Sequence, residues 1–350
     1  LPVEDFFKFE NKAMVSATPI IPSDPRFEEN GFKVLKLVPT YDSRIDLTLC
    51  TTNNTVAVMR KLLKRLENET VFVFLNSTET ILNLILALKL QGRSKVFCSE
   101  KSVRKLKQMN FTDASETLDE LASVNFLTSR FYAAVDIKLD YKPHVIILTD
   151  VLRAPFSAID PQTEVVQAIG RFRNGVARAY HIANTSDSLQ CQTREALERR
   201  LMSEEHIYNQ ILQIQPDGED EVQARFQALN GMDYKRFVTR DGKRNHFMWD
   251  NAWADEQIKA YYRYPSTLTA AYKTAPFQLQ VCTAHYPITD ADRLRREKAK
   301  MNTRELWREV VVQLTKLQTG HSDIEPAFLQ EELGNEFATI VQAFTILGAK

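Results

Sequence analysis

The sequence predicts an α/β fold: a mostly parallel sheet with helices on both faces over residues 30–185, followed by a mainly α-helical segment over 186–350. Two observations predict it. In the first half, short runs rich in Val, Ile and Phe alternate with apolar residues spaced three and four apart. Strands separated by helices need crossover connections, and these give parallel pairing. After Asn184 the strand-like runs thin out and long helical periodicity takes over.

Taken in order, the strand candidates are residues 34–37, 71–75, 95–98, 125–127, 145–148 and 179–182, each a compact apolar run. Helical spacing links Val56, Met59, Leu63 and Leu66, continues over 81–90 with Gly92 as a stop, and returns over 103–109. Asp160-Pro161 is a helix start signal, because aspartate accepts from orphan N–H groups and proline at the first helical position forfeits nothing. A helix is therefore expected from Pro161 to about Gly170. Farther on, Leu306, Val310, Leu314 and Leu317, closed by Gly320, and Phe337, Ile340, Val341 and Phe344 each mark one helical face. Aromatics gather between Phe247 and Tyr264, including Trp249, Trp253, Tyr261 and Tyr262. Two roles are open to them: the core of the helical part, or a platform for stacked bases.

Composition removes several classes. With 44% hydrophobic residues the chain can fill a sizeable core, while 45 Lys+Arg balance 45 Asp+Glu, so any attraction to nucleic acid must come from local patches. The most apolar stretch, 81–90, is broken by Asn83 and Lys89 and falls well short of the roughly 20 residues a membrane helix needs. Cys50, Cys98, Cys191 and Cys282 lie far apart with no C-x-x-C spacing, which points to a reducing, cytoplasmic setting. The histidines form no H-x-x-x-H pair, and no metal site is expected. No G-x-S-x-G elbow is present, so nucleophilic catalysis has no footing. The chain opens on Leu1-Pro2-Val3 without a leader pattern and reads as a portion of something longer.

Three strings carry the chemistry. Ser16-Ala17-Thr18-Pro19 follows the apolar pair Met14-Val15. Phe126-Leu127-Thr128-Ser129 ends a strand, and Ala134-Val135-Asp136 follows it. Gln167-Ala168-Ile169-Gly170-Arg171-Phe172-Arg173-Asn174-Gly175 closes the Asp160 helix. In this order they resemble motifs III, V and VI of the superfamily-two (DEAD/DEAH-like) helicases, and residues 71–78 resemble motif IV. The resemblance covers about residues 14 to 185. It implies that 1–29 is the end of a first RecA-like domain with its linker, that 30–185 is the second RecA-like domain, and that 186–350 is a helical C-terminal domain.

The same resemblance assigns roles. Arg171 and Arg173, with Gln167, would serve a nucleotide held on the other lobe, where a guanidinium stabilises charge on a transferred phosphoryl group. Asp136 and Gly170 would lie beside that nucleotide. Ser16 and Thr18 would couple the lobes. Ligands of parallel sheets bind beyond the carboxyl ends of the strands, so Asn76, Ser77, Ser99, Thr128 and Ser129 can share one rim that meets nucleic-acid phosphates. Helix capping is the alternative job for each of them. The chain departs from the pattern at Ala134, where glycine is usual, and at Arg173, which arrives one residue early, so which arginine is the finger stays open. Both can instead complement the dipole at the end of their helix.

ATP hydrolysis needs a glycine-rich phosphate loop and an acidic pair. Neither string occurs in the sequence; Arg240-Asp241-Gly242-Lys243-Arg244 has the composition of a hairpin-like turn, and Glu4-Asp5 stands too close to Ser16. The expectation is the carboxyl-side portion of a nucleic-acid-dependent ATPase, with ATP and Mg²⁺ serving the intact enzyme and none bound by this chain alone. Its partners would be DNA or RNA and an upstream RecA-like domain, with no membrane. The alternative is a non-catalytic interaction module on a degenerate RecA-like fold. The basic run Arg293, Arg295, Arg296, Lys298 and Lys300 after Thr289 suits a solvated helix face or a phosphate-tracking surface.

Overall fold

The computed structural model describes residues 3–132, 135–286, 303–319 and 337–348. In chain order the elements begin with α1 (Val3–Phe6), α2 (Arg26–Glu29), β1 (Ile45–Thr52), α3 (Thr55–Arg65), β2 (Val71–Phe74), α4 (Thr78–Ala87), β3 (Ser94–Phe97) and α5 (Glu100–Gln108). They continue with β4 (Ala114–Ser115), β5 (Val124–Leu127), β6 (His144–Thr149), α6 (Glu164–Gly170), β7 (Arg178–Ala183), α7 (Arg194–Gln213) and α8 (Glu219–Gly231). The last are α9 (His246–Tyr261), α10 (Pro265–Lys273), β8 (Phe277–Ala284), α11 (Thr303–Gln318) and α12 (Ala338–Leu347). The chain divides into two compact units, residues 1–42 with 188–261 and residues 43–187 with 262–350.

The second of these units holds one sheet, ordered β4-β3-β5-β2-β6-β7-β1-β8, and every pairing is parallel. The strands expected at 71–75, 95–98, 125–127, 145–148 and 179–182 are present as β2, β3, β5, β6 and β7. Their continuous apolar runs follow from burial on both faces. On one face Val71, Val73 and Ile146 join Met59 of α3, Ile81 and Ile85 of α4 and Leu106 of α5. On the other, Phe72 and Phe74 meet the edge of Phe172, just beyond α6, at ring distances of 5.0 and 6.3 Å.

Three strands are not apparent from the sequence, β1, β8 and the two-residue β4, and one expected strand is absent. Residues 34–37 are not a strand: Val34, Leu35 and Leu37 are exposed, the last at 95%. Their place is taken by β1, whose Leu47 and Leu49 are buried between β7 and β8. Threonines alternating with these leucines disguise the run. The segment after 185 is not purely helical either, since β8 returns from it to the sheet edge beside β1. The expected boundaries at 29 and 185 thus differ from those of the two compact units, and the sheet draws on both halves of the chain.

Helix α6 starts later than Pro161. Asp160 does accept from backbone and hydroxyl donors, from Gln162 N at 2.9 Å and Thr163 Oγ1 at 2.7 Å, but the pair closes a turn and the helix begins at Glu164. Helix α4 likewise ends at Ala87, two residues before Lys89 takes φ +55°. The helical faces expected around Val310 and Phe344 fall on α11 and α12.

The other unit centres on Leu197 and Leu201 of α7, Leu229 of α8, and Tyr208, Tyr234 and Phe237, with Trp249 and Trp253 of α9 packed against them. The Arg244 guanidinium lies 4.1 Å over the Trp249 ring and pairs with Glu205. Packing of this kind gives the two tryptophans a core role. Residues 239–243 form the expected turn, with Thr239 N donating to Lys243 O at 2.8 Å and Gly242 at φ +82°. Near the start, Phe6, Phe7, Phe27 and Phe32 form an aromatic group, and buried Asp24 receives Arg26 at 2.7 Å. Ala134, Thr289, Gly320 and the basic run 293–300 lie outside the described residues. Among the described residues no helix is long and apolar enough to cross a membrane.

The return of residues 262–284 to the sheet is fixed by a buried polar layer. His181 of β7 is fully buried; its Nδ1 meets the Tyr272 hydroxyl of α10, and its Nε2 lies 3.0 Å from Thr149 Oγ1. Tyr262 donates its hydroxyl to Ile159 O at 2.8 Å. Burial pushes the His181 imidazole down to about 3 from 6.5, so the native state keeps it neutral where the unfolded chain protonates it. The unfolded state therefore binds more protons between those two values, and stability falls as pH drops from about 6.5 towards 3, with a slope of up to about 1.4 kcal/mol per pH unit from this group. Urea unfolding across that range should show this extra slope in the natural chain. It should vanish in His181→Gln.

Candidate functional site

Parallel pairing sends the carboxyl ends of all strands to one edge of the sheet. Because β3, β5 and β2 are neighbours, the residues that follow them meet there. Asn76 and Ser77 follow β2, Ser99 follows β3, and Thr128 and Ser129 follow β5. All five line one cleft of about 340 Å³. The rim expected from the sequence is therefore a real juxtaposition.

The capping alternative is realised as well. Ser77 accepts from Thr80 N at 3.2 Å at the start of α4, and Ser99 accepts from Ser102 N at 3.4 Å at the start of α5. Two helix N-termini thus face the cleft, with their partial positive charge. Thr128 is buried, and both its N–H and its hydroxyl donate to Phe97 O, at 3.1 and 3.4 Å. Ser129 is exposed and opens a short 3-10 turn.

Sequence reasoning missed the charged lining: Lys105, Arg130 and Glu79 also border this cleft. Arg130 donates to Cys98 O at 3.4 Å and faces Glu116 at 3.6 Å, so its guanidinium is steered across the β3 and β5 ends. A signal existed for both cations. Arg130 directly follows Ser129, and Lys105 lies six residues past Ser99, on the helix that Ser99 caps. At the lip, Phe156 offers an apolar ring that is 63% exposed. No sequence pattern marked it.

A second group forms around Asp136 and does not line that cleft. Ile137 N donates to Arg171 O at 2.8 Å, and Arg173 N donates to Ile137 O at 3.1 Å, which ties the Asp136 segment to the Gly170 turn. Arg173 Nη2 then reaches Asp136 Oδ1 at 2.6 Å, while Arg171 Nη1 stands 3.9 Å away. The hydrogen bond from Arg173, aided by the charge of both arginines, holds the Asp136 carboxyl below its ordinary range. Arg171 also donates Nε to Gln167 O at 3.0 Å, and Arg173 donates Nη1 to Gly170 O at 3.3 Å. Those bonds satisfy the last carbonyls of α6, which is the dipole role open to the arginines. Space beside Gly170 is open, since a methyl group there would meet nothing within 4 Å.

The two arginines differ in exposure. Arg173 and Asp136 are 46% and 48% exposed, whereas the Arg171 side chain is 20% exposed. Ser16 and Thr18 belong to the other compact unit; Thr18 N donates to Ser16 Oγ at 3.1 Å in an exposed local turn. Among the described residues no group of His, Cys, Asp and Glu is arranged to hold a metal ion.

No protein-family model matches the sequence, and no curated protein matches it. Among solved structures, the chain is similar to a CRISPR-associated protein at 10% identity and TM-score 0.29, covering 65% of this chain and 26% of that one. The chain thus spans about a quarter of that protein. It is also similar to domain 2 of the DEAD-box helicase Mss116p bound to an RNA duplex, at 10% identity and TM-score 0.26, covering 68% of this chain and 99% of that one. Both likenesses are remote, and the fold assignment rests on the sheet order and register.

The caps make a separable prediction. Ser77→Ala and Ser99→Ala should each cost about 1 kcal/mol of stability in urea unfolding, and the glycine replacements only a few tenths. Equal losses for alanine and glycine would mean that the serines do not cap.

Proposed function

We propose that this chain is the carboxyl-side portion of an ATP-dependent helicase or translocase, gripping DNA or RNA by its phosphate backbone and supplying an arginine to a composite ATP site. One observation carries the reading: polar residues from three adjacent strand ends, two helix N-termini, Lys105 and Arg130 converge on a single cleft. Hydroxyl and amide donors with cations suit phosphate oxygens, contacts that position a strand without reading its sequence. Phe156 would add stacking on an unpaired base, which tolerates any sequence.

At the second group, Arg173 would leave Asp136 and meet the triphosphate bound by a partner lobe, with Asp136 then released towards a ribose hydroxyl. ATP and its Mg²⁺ would supply the transferable phosphoryl group. This chain's residues would contribute the guanidinium of Arg173, held in place by the two backbone bonds between Ile137 and the Gly170 turn, and the open space at Gly170. Arg171 is the more buried of the pair and would orient the turn through Gln167 O.

The rival reading, a non-catalytic interaction module, draws on the same ion pair: Arg173 at 2.6 Å from Asp136 already has a partner. Joining the chain to a RecA-like lobe that carries a phosphate loop separates the two. Nucleic-acid-stimulated ATP hydrolysis should appear in the joined protein and fall by about 10³-fold or more in Arg173→Ala. The module reading expects no dependence on that arginine. The 350-residue chain alone should show no Mg²⁺-dependent hydrolysis.

The cleft has its own test. Binding of a single-stranded oligonucleotide should weaken in Lys105→Glu and in Arg130→Glu, and the slope of log K against log salt should shrink by about 0.7 for each phosphate that the variant no longer neutralises. Titrations at several salt concentrations measure both. Unchanged slopes would remove the cleft from the binding surface.

A further inference from the structure

Cys50 and Cys282 are separated by most of the chain, yet β1 and β8 place them directly opposite each other in register. Neighbouring strands run about 4.8 Å apart, inside the roughly 4.4–6.8 Å window of Cα separations that a disulfide spans. Side chains of this ladder do meet across the rung: the hydroxyls of the next pair, Thr51 and Thr283, are 3.2 Å apart. The thiols are unequal. Cys50 is buried at 8% exposure, whereas Cys282 is exposed on the strand that ends the sheet order.

We propose that Cys50 and Cys282 are a peroxide-sensitive modification site that closes into a reversible disulfide between the edge strand and its neighbour. Cys282 is the thiol that meets the oxidant. Burial, together with the hydrogen bond and charge of Cys282, pushes Cys50 up to about 12, so Cys50 keeps its proton until the second step. In the first step the Cys282 sulfur attacks one oxygen of hydrogen peroxide, the O–O bond breaks, and the departing hydroxide takes the thiol proton to leave as water. Cys282 is now a sulfenic acid, oxidised by two electrons. In the second step the Cys50 sulfur attacks the Cys282 sulfur, the S–O bond breaks, and the hydroxyl leaves as water with the Cys50 proton. Two thiols and one peroxide thus give one disulfide and two waters. A dithiol reductant reverses the change by exchange.

The closed form ties β8 to β1 covalently and stabilises the return of the C-terminal half to the sheet. It constrains the unfolded chain over the long loop between the two residues.

The test uses the full chain, treated with hydrogen peroxide, blocked with an alkylating agent, digested and read by mass spectrometry. The expected product is a linked pair of peptides containing Cys50 and Cys282, two hydrogens lighter than the reduced pair and lost on treatment with dithiothreitol. The thermal midpoint should rise in the oxidised protein and return on reduction. Cys50→Ser should stop the reaction at a Cys282 sulfenic acid captured by a dione probe, and Cys191→Ser should leave the link intact. Cys282 recovered as a sulfinic acid, joined to Cys191 or joined to a second chain, with Cys50 still free in the natural protein, would overturn the proposal.

Discussion

Parallel pairing of every strand is the constraint from which the rest follows. It forces a crossover between consecutive strands, so helices cover both faces, and it gathers the carboxyl ends of β3, β5 and β2 at one edge. A hairpin anywhere in this sheet would have turned one strand around and moved its polar end away from the cleft. The serines at 77 and 99 show how a strand end and a helix start share one residue. Each ends a strand and starts a helix, so its hydroxyl accepts from the helix while its surroundings, rich in N–H donors, stay suited to an anion.

The C-terminal half returns to the sheet and adds its last strand. β8 adds beside β1, and α10 lays Tyr272 against His181 while Tyr262 bonds the chain after β6. A buried imidazole between a tyrosine and a threonine is costly unless both nitrogens are satisfied, and here both are. That layer makes residues 262–284 part of the α/β unit rather than an appendage.

How much of this was legible follows from burial. β2, β5 and β6 were plain because strands hidden on both faces carry unbroken apolar runs, such as Val71-Phe72-Val73-Phe74. β1 was missed because Leu47 and Leu49 alternate with Asp46 and Thr48, while the exposed Val34-Leu35 run nearby looked better by composition alone. β8 was missed for a similar reason, with Gln278 and Gln280 between its apolar residues at an open edge. The rim hydroxyls and the Asp136–arginine group were legible because short strings marked them. Phe156 and the Cys50–Cys282 rung were not, since each depends on which segments become neighbours, and no local pattern encodes a register between residues so far apart.

The pairing of Arg173 with Asp136 need not speak against a role at a nucleotide. Both groups are about half exposed, and an ion pair in that setting is screened by water and salt and gains little by persisting. A triphosphate carries several charges where the carboxylate carries one, and a closing partner lobe would exclude water and strengthen the new contact. The guanidinium would then exchange one anion for a more highly charged one without changing its backbone, which the bonds between Ile137 and the Gly170 turn hold fixed. Both guanidinium groups also bond a carbonyl of their own helix, Arg171 at Gln167 O and Arg173 at Gly170 O, and of the two side chains Arg173 is the more exposed. If a nucleotide is met at this turn, exposure favours Arg173 over Arg171, its side chain being 46% exposed against 20%.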